Sequence, residues 1–149
     1  MVKFSPNKII IHCSDSEWGN VNVIRDWHLQ RGFNDIGYHF IILNGKVSHS
    51  NNPFRMSLNG SIEIGRDLNI KGSHCKGHNH DSIGICLIGV ELFTDEQYNS
   101  LVFLIDDLCE EYSINASEIY GHRDFNSKKT CPNFDVKKFV EDEYNPITF

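Results

Sequence analysis

The sequence predicts an α/β domain in which a central mixed β-sheet is flanked by α-helices. Three observations predict it: short β-branched apolar runs, segments between them with apolar residues at helical spacing, and a length of 149 residues. Strands and helices that alternate along a chain pack as a sheet covered by helices. A chain of this length buries roughly 68–70% of its unfolded surface in a single core, so one domain spanning 1–149 is expected. With 40% hydrophobic and 23% charged residues, 11 Gly and only 4 Pro, the collagen-like, low-complexity and wholly disordered classes are excluded.

Lys8-Ile9-Ile10-Ile11-His12 is β-branched and runs into polar Cys13-Ser14-Asp15-Ser16, so it reads as a buried strand that delivers His12 to a loop at its carboxyl end. Asn20 can cap a helix over Val21 to Gln30, where Val23, Ile24 and Trp27 repeat at helical spacing, and Gly32 ends it. Tyr38 to Leu43 is a second strand and Ser61 to Ile64 a third, preceded by the turn signal Asn59-Gly60. Between them Asn44 to Leu58 is polar, with a further Asn-Gly at 44–45 and an Asn-Pro at 52–53, which predicts a hairpin extension or surface loop.

Asp81 to Val90 is continuously apolar rather than alternating, as a central strand covered on both faces should be, and its glycines imply close backbone approach. Thr94 with Gln97 forms a capping-box pair that opens a helix with Tyr98, Leu101, Ile105, Leu108 and Tyr112 at 3-4-3-4 spacing. A short strand at Glu118 to Tyr120 leads into Gly121-His122-Arg123-Asp124, and Asp135 caps a final helix through Phe139 and Val140.

Twenty acidic against 14 basic side chains give a net charge of −6, so no electrostatic footprint favours nucleic acid. The first residues carry no leader-like apolar region, and the longest apolar stretch, Ile83 to Val90, is far shorter than a membrane span. A soluble, cytoplasmic protein without a membrane partner is expected. Five cysteines at 13, 75, 86, 109 and 131, with no CxxC pair, suit reduced thiols better than a disulfide framework.

Eight His with five Cys invite a metal reading, since neutral imidazole and thiolate are natural zinc ligands. Two sets compete. The local run Gly72 to His80 holds His74, Cys75, His78 and His80, but its spacing matches no standard structural zinc module, and a solvated polar loop is the commoner explanation of such a run. The sparser set is His12, His122 and Cys131, which spacing alone does not single out.

Six segments occur in one order: Ile11-His12-Cys13-Ser14, Gly37 to Ile42, Gly65-Arg66-Asp67, Gly72 to His80, Ser82 to Leu87, and Lys129 to Asp135. This series resembles the zinc-dependent N-acetylmuramoyl-L-alanine amidases, particularly phage lysozymes of the T-seven type, whose fold is shared with peptidoglycan-recognition proteins. The likeness covers nearly the whole chain. It implies that His12, His122 and Cys131 bind one Zn(2+) and leave a fourth position for water. It implies catalytic roles for Tyr38, toward the water or the departing amine, and for Lys129, toward the oxyanion. It also implies that Arg66 and His74 line the substrate cleft; the alternative for Arg66 is a salt bridge to Asp67 or another surface acid.

The implied activity is cleavage of the amide between N-acetylmuramic acid and L-alanine in peptidoglycan, in the manner of an endolysin that reaches the wall after a separate membrane lesion. Recognition proteins without amidase activity typically lack the ligand equivalent to Cys131, so its presence favours an enzyme over a binding module. The phage relatives also imply a phage RNA polymerase as a partner, through surface residues that the sequence does not map. The Asn44 to Leu58 stretch resembles an insertion relative to the compact phage enzyme, and the end at Asn145 to Phe149 is too short for a wall-binding module.

Overall fold

A computed structural model describes residues 3–49 and 54–144. In chain order its main elements are β1 (Lys8–Cys13), α1 (Val21–Gln30), β2 (Phe40–Asn44), β3 (Asn59–Ile64), β4 (Ser82–Leu87), α2 (Asp95–Tyr112), β5 (Ile119–Gly121) and α3 (Val136–Phe139). The strands form one sheet in the order β3-β2-β4-β1-β5. Only the β2–β3 hairpin is antiparallel; β2–β4, β4–β1 and β1–β5 are parallel, so the mixed sheet is as the sequence predicts.

Both faces of this sheet are covered, which explains the unbroken apolar runs. Along β2, Phe40 and Ile42 join the core under α2 and α3, while Ile41 and Leu43 face the opposite core with Ile24 of α1. Along β4, Ile83, Ile85 and Leu87 belong to the first core, and Cys86 and the following Ile88 to the second.

The helix starts follow the sequence closely. The Asn20 side chain accepts from the Val23 N–H at 2.9 Å, and the chain leaves α1 through Gly32 at φ +92°, a region in which glycine pays no steric penalty. At α2, Thr94 and Gln97 make the reciprocal capping box. Asp135 caps α3 by accepting from the Lys138 N–H at 3.1 Å, and the chain continues in a wider helical turn over Val140–Tyr144.

Two expectations are corrected. β2 begins at Phe40 rather than Tyr38, which leaves Tyr38 in the approach to the strand. Asn59-Gly60 is not a turn before β3 but its first two residues, with Asn59 paired to Asn44 across an irregularity in the ladder. Glycine is needed there because a Cβ on Gly60 would meet the Glu96 carbonyl of α2 at 2.8 Å. The Asn44 to Leu58 stretch does extend the β2–β3 hairpin: the Arg55 N–H closes back on the Gly45 carbonyl at 2.8 Å, and Lys46 accepts from the Gly19 N–H. The Asn-Pro signal at 52–53 and the terminal Asn145 to Phe149 lie outside the described residues. Among the described residues no helix is long and apolar enough to cross a membrane.

Candidate metal centre and its cleft

The parallel pairing of β1 with β5 creates the core of the site. Ile11 lies opposite Gly121, so one residue further on, His12 of β1 and His122, which directly follows β5, face each other at the carboxyl edge, where open α/β sheets bind ligands. Their rings are 4.7 Å apart. The third donor arrives on a loop. The Arg123 N–H donates to the Cys131 carbonyl at 2.9 Å, and the Cys13 N–H donates to Cys131 Sγ at 3.1 Å. One ligand atom each of His12, His122 and Cys131 lies within 4.8 Å of the others, the one such group of His, Cys, Asp or Glu among the described residues. The run from Gly72 to His80 contributes no metal-binding group of this kind among the described residues.

Asn133, not singled out from the sequence, staples the Cys131 loop to the sheet. Its Nδ2 donates to the Val90 carbonyl at 2.6 Å and toward Cys13 Sγ at 3.7 Å. It sits at φ +69°, a region asparagine tolerates better than most residues, and the Pro-Asn pair at 132–133 is the turn signal that could have found it.

The donor set fits a zinc ion. Burial, and then the neighbouring His74 and His122, hold His12 well below the ordinary imidazole value; burial and then the Lys129 charge lower His122. Both therefore present neutral nitrogens, as ligation requires. Cys13 and Cys131 hydrogen-bond to each other, and that contact, followed by burial, pushes the Cys131 thiol up. The same contact lowers the Cys13 thiol, and a divalent cation held by Cys131 would favour the thiolate there instead. Three protein donors with an open side are the mark of a catalytic centre rather than a closed structural one.

The centre opens into a cleft of about 950 Å³ lined by Tyr38, His74, Trp27, Lys129 and Cys131 among others. Tyr38 packs beside His12 with ring centroids 5.0 Å apart. Burial, then the sulfurs of Cys86, Cys131 and Cys13, hold its phenol well above the ordinary value, so it remains an O–H donor. Lys129 is exposed on the Cys131 loop, whose turn is closed by its own N–H to the Asn126 carbonyl at 2.9 Å. The chargeable lining is lopsided: Arg31, Lys76, Lys128 and Lys129 against Asp15, in a chain of net charge −6. The Arg31 guanidinium rests 5.5 Å from the Phe33 ring centre.

Of the seven predicted site residues, Tyr38, His74, His122, Lys129 and Cys131 line one cleft, His12 lies buried against it beside His122 and His74, and Arg66 stands apart. Arg66 is not in the cleft lining. Its guanidinium donates to the carbonyls of Ile36, Lys71 and Asp35 at 2.8, 3.1 and 3.1 Å, and so ties the approach to β2 to the loop after β3 instead of offering its fork to a ligand or pairing with Asp67. His74 touches the cleft but is only 9% exposed. The sequence pattern also missed that Trp27, read as a helix core residue, and Cys13, read as structural, face the cleft.

Burial of neutral histidines makes the fold acid-sensitive. Burial, then Arg31 and Arg66, pushes His28 down to about 4; burial, then His39, pushes His74 down to about 3. The unfolded chain binds these protons near pH 6.5, so their contribution to stability is full above that pH and is lost as pH falls toward 4 and then 3. In chelator-treated protein the urea midpoint should fall steadily below pH 6.5. His28→Asn, which can still accept the Gly37 N–H now 2.9 Å from His28 Nδ1, should flatten the profile above pH 4; an unchanged slope would contradict the assignment.

A mixed α/β sheet whose parallel strands gather three metal-capable donors beside an open cleft at their carboxyl edge has the layout of an α/β enzyme. Residues 3–134 match the N-acetylmuramoyl-L-alanine amidase family. The chain is 37% identical to the endolysin of Enterobacteria phage T3 over 94% of this chain and 91% of that one. Among solved structures it is similar to the N-acetylmuramoyl-L-alanine amidase LysC from Clostridium intestinale URNW (TM-score 0.75, 29% identity, 95% of this chain and 89% of that chain). It is also similar to Drosophila PGRP-LB (TM-score 0.71, 27% identity, 93% and 81%). The chain belongs to the N-acetylmuramoyl-L-alanine amidase family, and it shares its fold with the peptidoglycan-recognition proteins.

Proposed function

We propose that this chain is a zinc-dependent endolysin that hydrolyses the amide bond between the lactyl group of N-acetylmuramic acid and L-alanine in peptidoglycan. The convergence of donor atoms of His12, His122 and Cys131 within 4.8 Å, beside an open cleft that His122 and Cys131 line, carries this reading. Held by these three residues, zinc would supply Lewis-acid polarisation of the amide carbonyl and a water made nucleophilic at neutral pH.

The remaining chemistry belongs to the chain. Tyr38, kept as a neutral phenol beside His12, can donate a hydrogen bond to the attacking water or pass a proton toward the departing amine. The Lys129 ammonium, whose charge reaches His122, can stabilise negative charge that develops on the carbonyl oxygen. Arg31, Lys76 and Lys128 give the cleft a cationic wall that suits the carboxylates of a stem peptide. In a cell, such an enzyme acts on the wall once the membrane has been breached by other means.

The test is the release of peptide with a free L-alanine amine from a muramoyl-peptide. Activity should vanish after chelation and return with zinc. Tyr38→Phe should keep zinc and lower kcat about 10²-fold, and Lys129→Ala should lower it by a similar factor. Peptide that stays attached to the lactyl group, or turnover indifferent to chelator, would refute the proposal.

A further inference from the structure

His74 has both ring nitrogens committed inside the protein. Its Nδ1 is 2.8 Å from His12 Nε2, and its Nε2 is 3.3 Å from Ser82 Oγ. Ser82 Oγ in turn donates to the His78 carbonyl at 2.6 Å. That carbonyl can only accept, and this fixes the proton order from the far end. The Ser82 hydroxyl spends its hydrogen on His78, so it accepts from His74 Nε2–H. His74 Nδ1 is then a bare acceptor. His12 must donate from Nε2, and its Nδ1 is left with an unprotonated lone pair.

The chain is also built to hold the His74 ring in this place. A Cβ on Gly84 of the central strand would lie 2.7 Å from His74 Cγ and Cδ2, and a Cβ on Gly72 would lie 2.7 Å from Cδ2. Two glycines therefore clear the space the imidazole fills. From below, the Asn79 side chain accepts both the His74 and the Cys75 N–H groups at 2.8 Å. Gly37 holds the preceding residue, its carbonyl accepting from the Ser73 N–H at 3.0 Å. His12 is 1% exposed and Ser82 fully buried, so water does not compete for these bonds.

We propose that His74 is a positioning residue for the metal centre rather than a substrate contact: through Ser82 and the His78 carbonyl it sets the tautomer and ring orientation of His12 and aims His12 Nδ1 at the ion. This rests on the zinc reading of the same site. A partner on the second nitrogen of a ligating histidine typically changes metal affinity about 10–100-fold.

The test uses the full chain and three variants, His74→Leu, His74→Asn and Ser82→Ala, with zinc affinity read by competition against a chromogenic chelator. His74→Leu removes the acceptor and should weaken zinc about 10–100-fold. His74→Asn places an amide oxygen near the former Nδ1 and should recover most of that loss, while Ser82→Ala should fall between. Imidazole ¹⁵N spectra of the metal-free wild type should show His12 protonated at Nε2 and bare at Nδ1, and this readout stands whether or not His74→Leu folds. Wild-type zinc affinity in His74→Leu, a raised KM with unchanged zinc affinity, or a proton on His12 Nδ1 would each overturn the proposal. A protein that shows the stated tautomer and binds zinc but releases no peptide would instead refute the amidase reading and leave this one standing.

Discussion

Replacing Cys131 with serine should remove zinc and hydrolysis together, with activity falling on the order of 10³-fold or more, because the ion contributes several kcal/mol of transition-state stabilisation. Serine keeps the size but not the thiolate, and two neutral imidazoles alone hold zinc weakly at neutral pH. His122→Ala should do the same. Cys131 and His122 are both only partly buried, so these two variants should melt close to the wild type when zinc is absent from all. His12→Ala should lose zinc as well and also lose stability, since it leaves His74 Nδ1 without its 2.8 Å partner in the interior. Cys75→Ala is the control and should retain zinc. Metal content by mass spectrometry beside peptide release decides the matter: full activity in Cys131→Ser would contradict the ligand assignment.

The second large effect is structural and arises at Gln97, which is 0% exposed. Its Nε2 donates to the Ile42 and Ile88 carbonyls at 3.1 and 2.8 Å, and its Oε1 accepts the Thr94 N–H at 2.9 Å. One side chain therefore closes the cap of α2 and joins that helix to the ends of β2 and β4. Gln97→Ala should cost about 2–4 kcal/mol, a lost cap plus buried polar groups left without partners. For a chain of this size that lowers Tm by roughly 5–15 °C. Gln97→Glu should be no better, because a carboxylate only accepts and its protonated form has a single O–H for two buried carbonyls. A shift under 2 °C in either variant would show that water or a neighbour replaces those bonds.

Much of this architecture is legible in the residues. Asn20, the Thr94/Gln97 pair and Asp135 announce helix starts through local hydrogen bonding, which needs no tertiary information. The double-faced strand over 82–87 shows itself by the absence of alternation. What cannot be read locally is register. That His12 and His122 are neighbours follows from the parallel pairing of β1 with β5, and nothing in the 109 residues between them encodes it in isolation. Cys131 enters only through the family resemblance. Arg66 and His74 illustrate a different limit, since an arginine or histidine near a cleft can serve a ligand or the chain's own polar atoms. The choice depends on whether carbonyls or a ring nitrogen happen to lie within reach.

Of the three donors, His12 lies on β1 and His122 directly follows its parallel neighbour β5, and paired strands keep a separation of about 4.8 Å. That pair of anchors is thereby held at a spacing the backbone enforces before any ion arrives. Capture of a metal there would ask for adjustment only from the tethered loop that carries the sulfur, so little ordering entropy would be spent on taking up an ion.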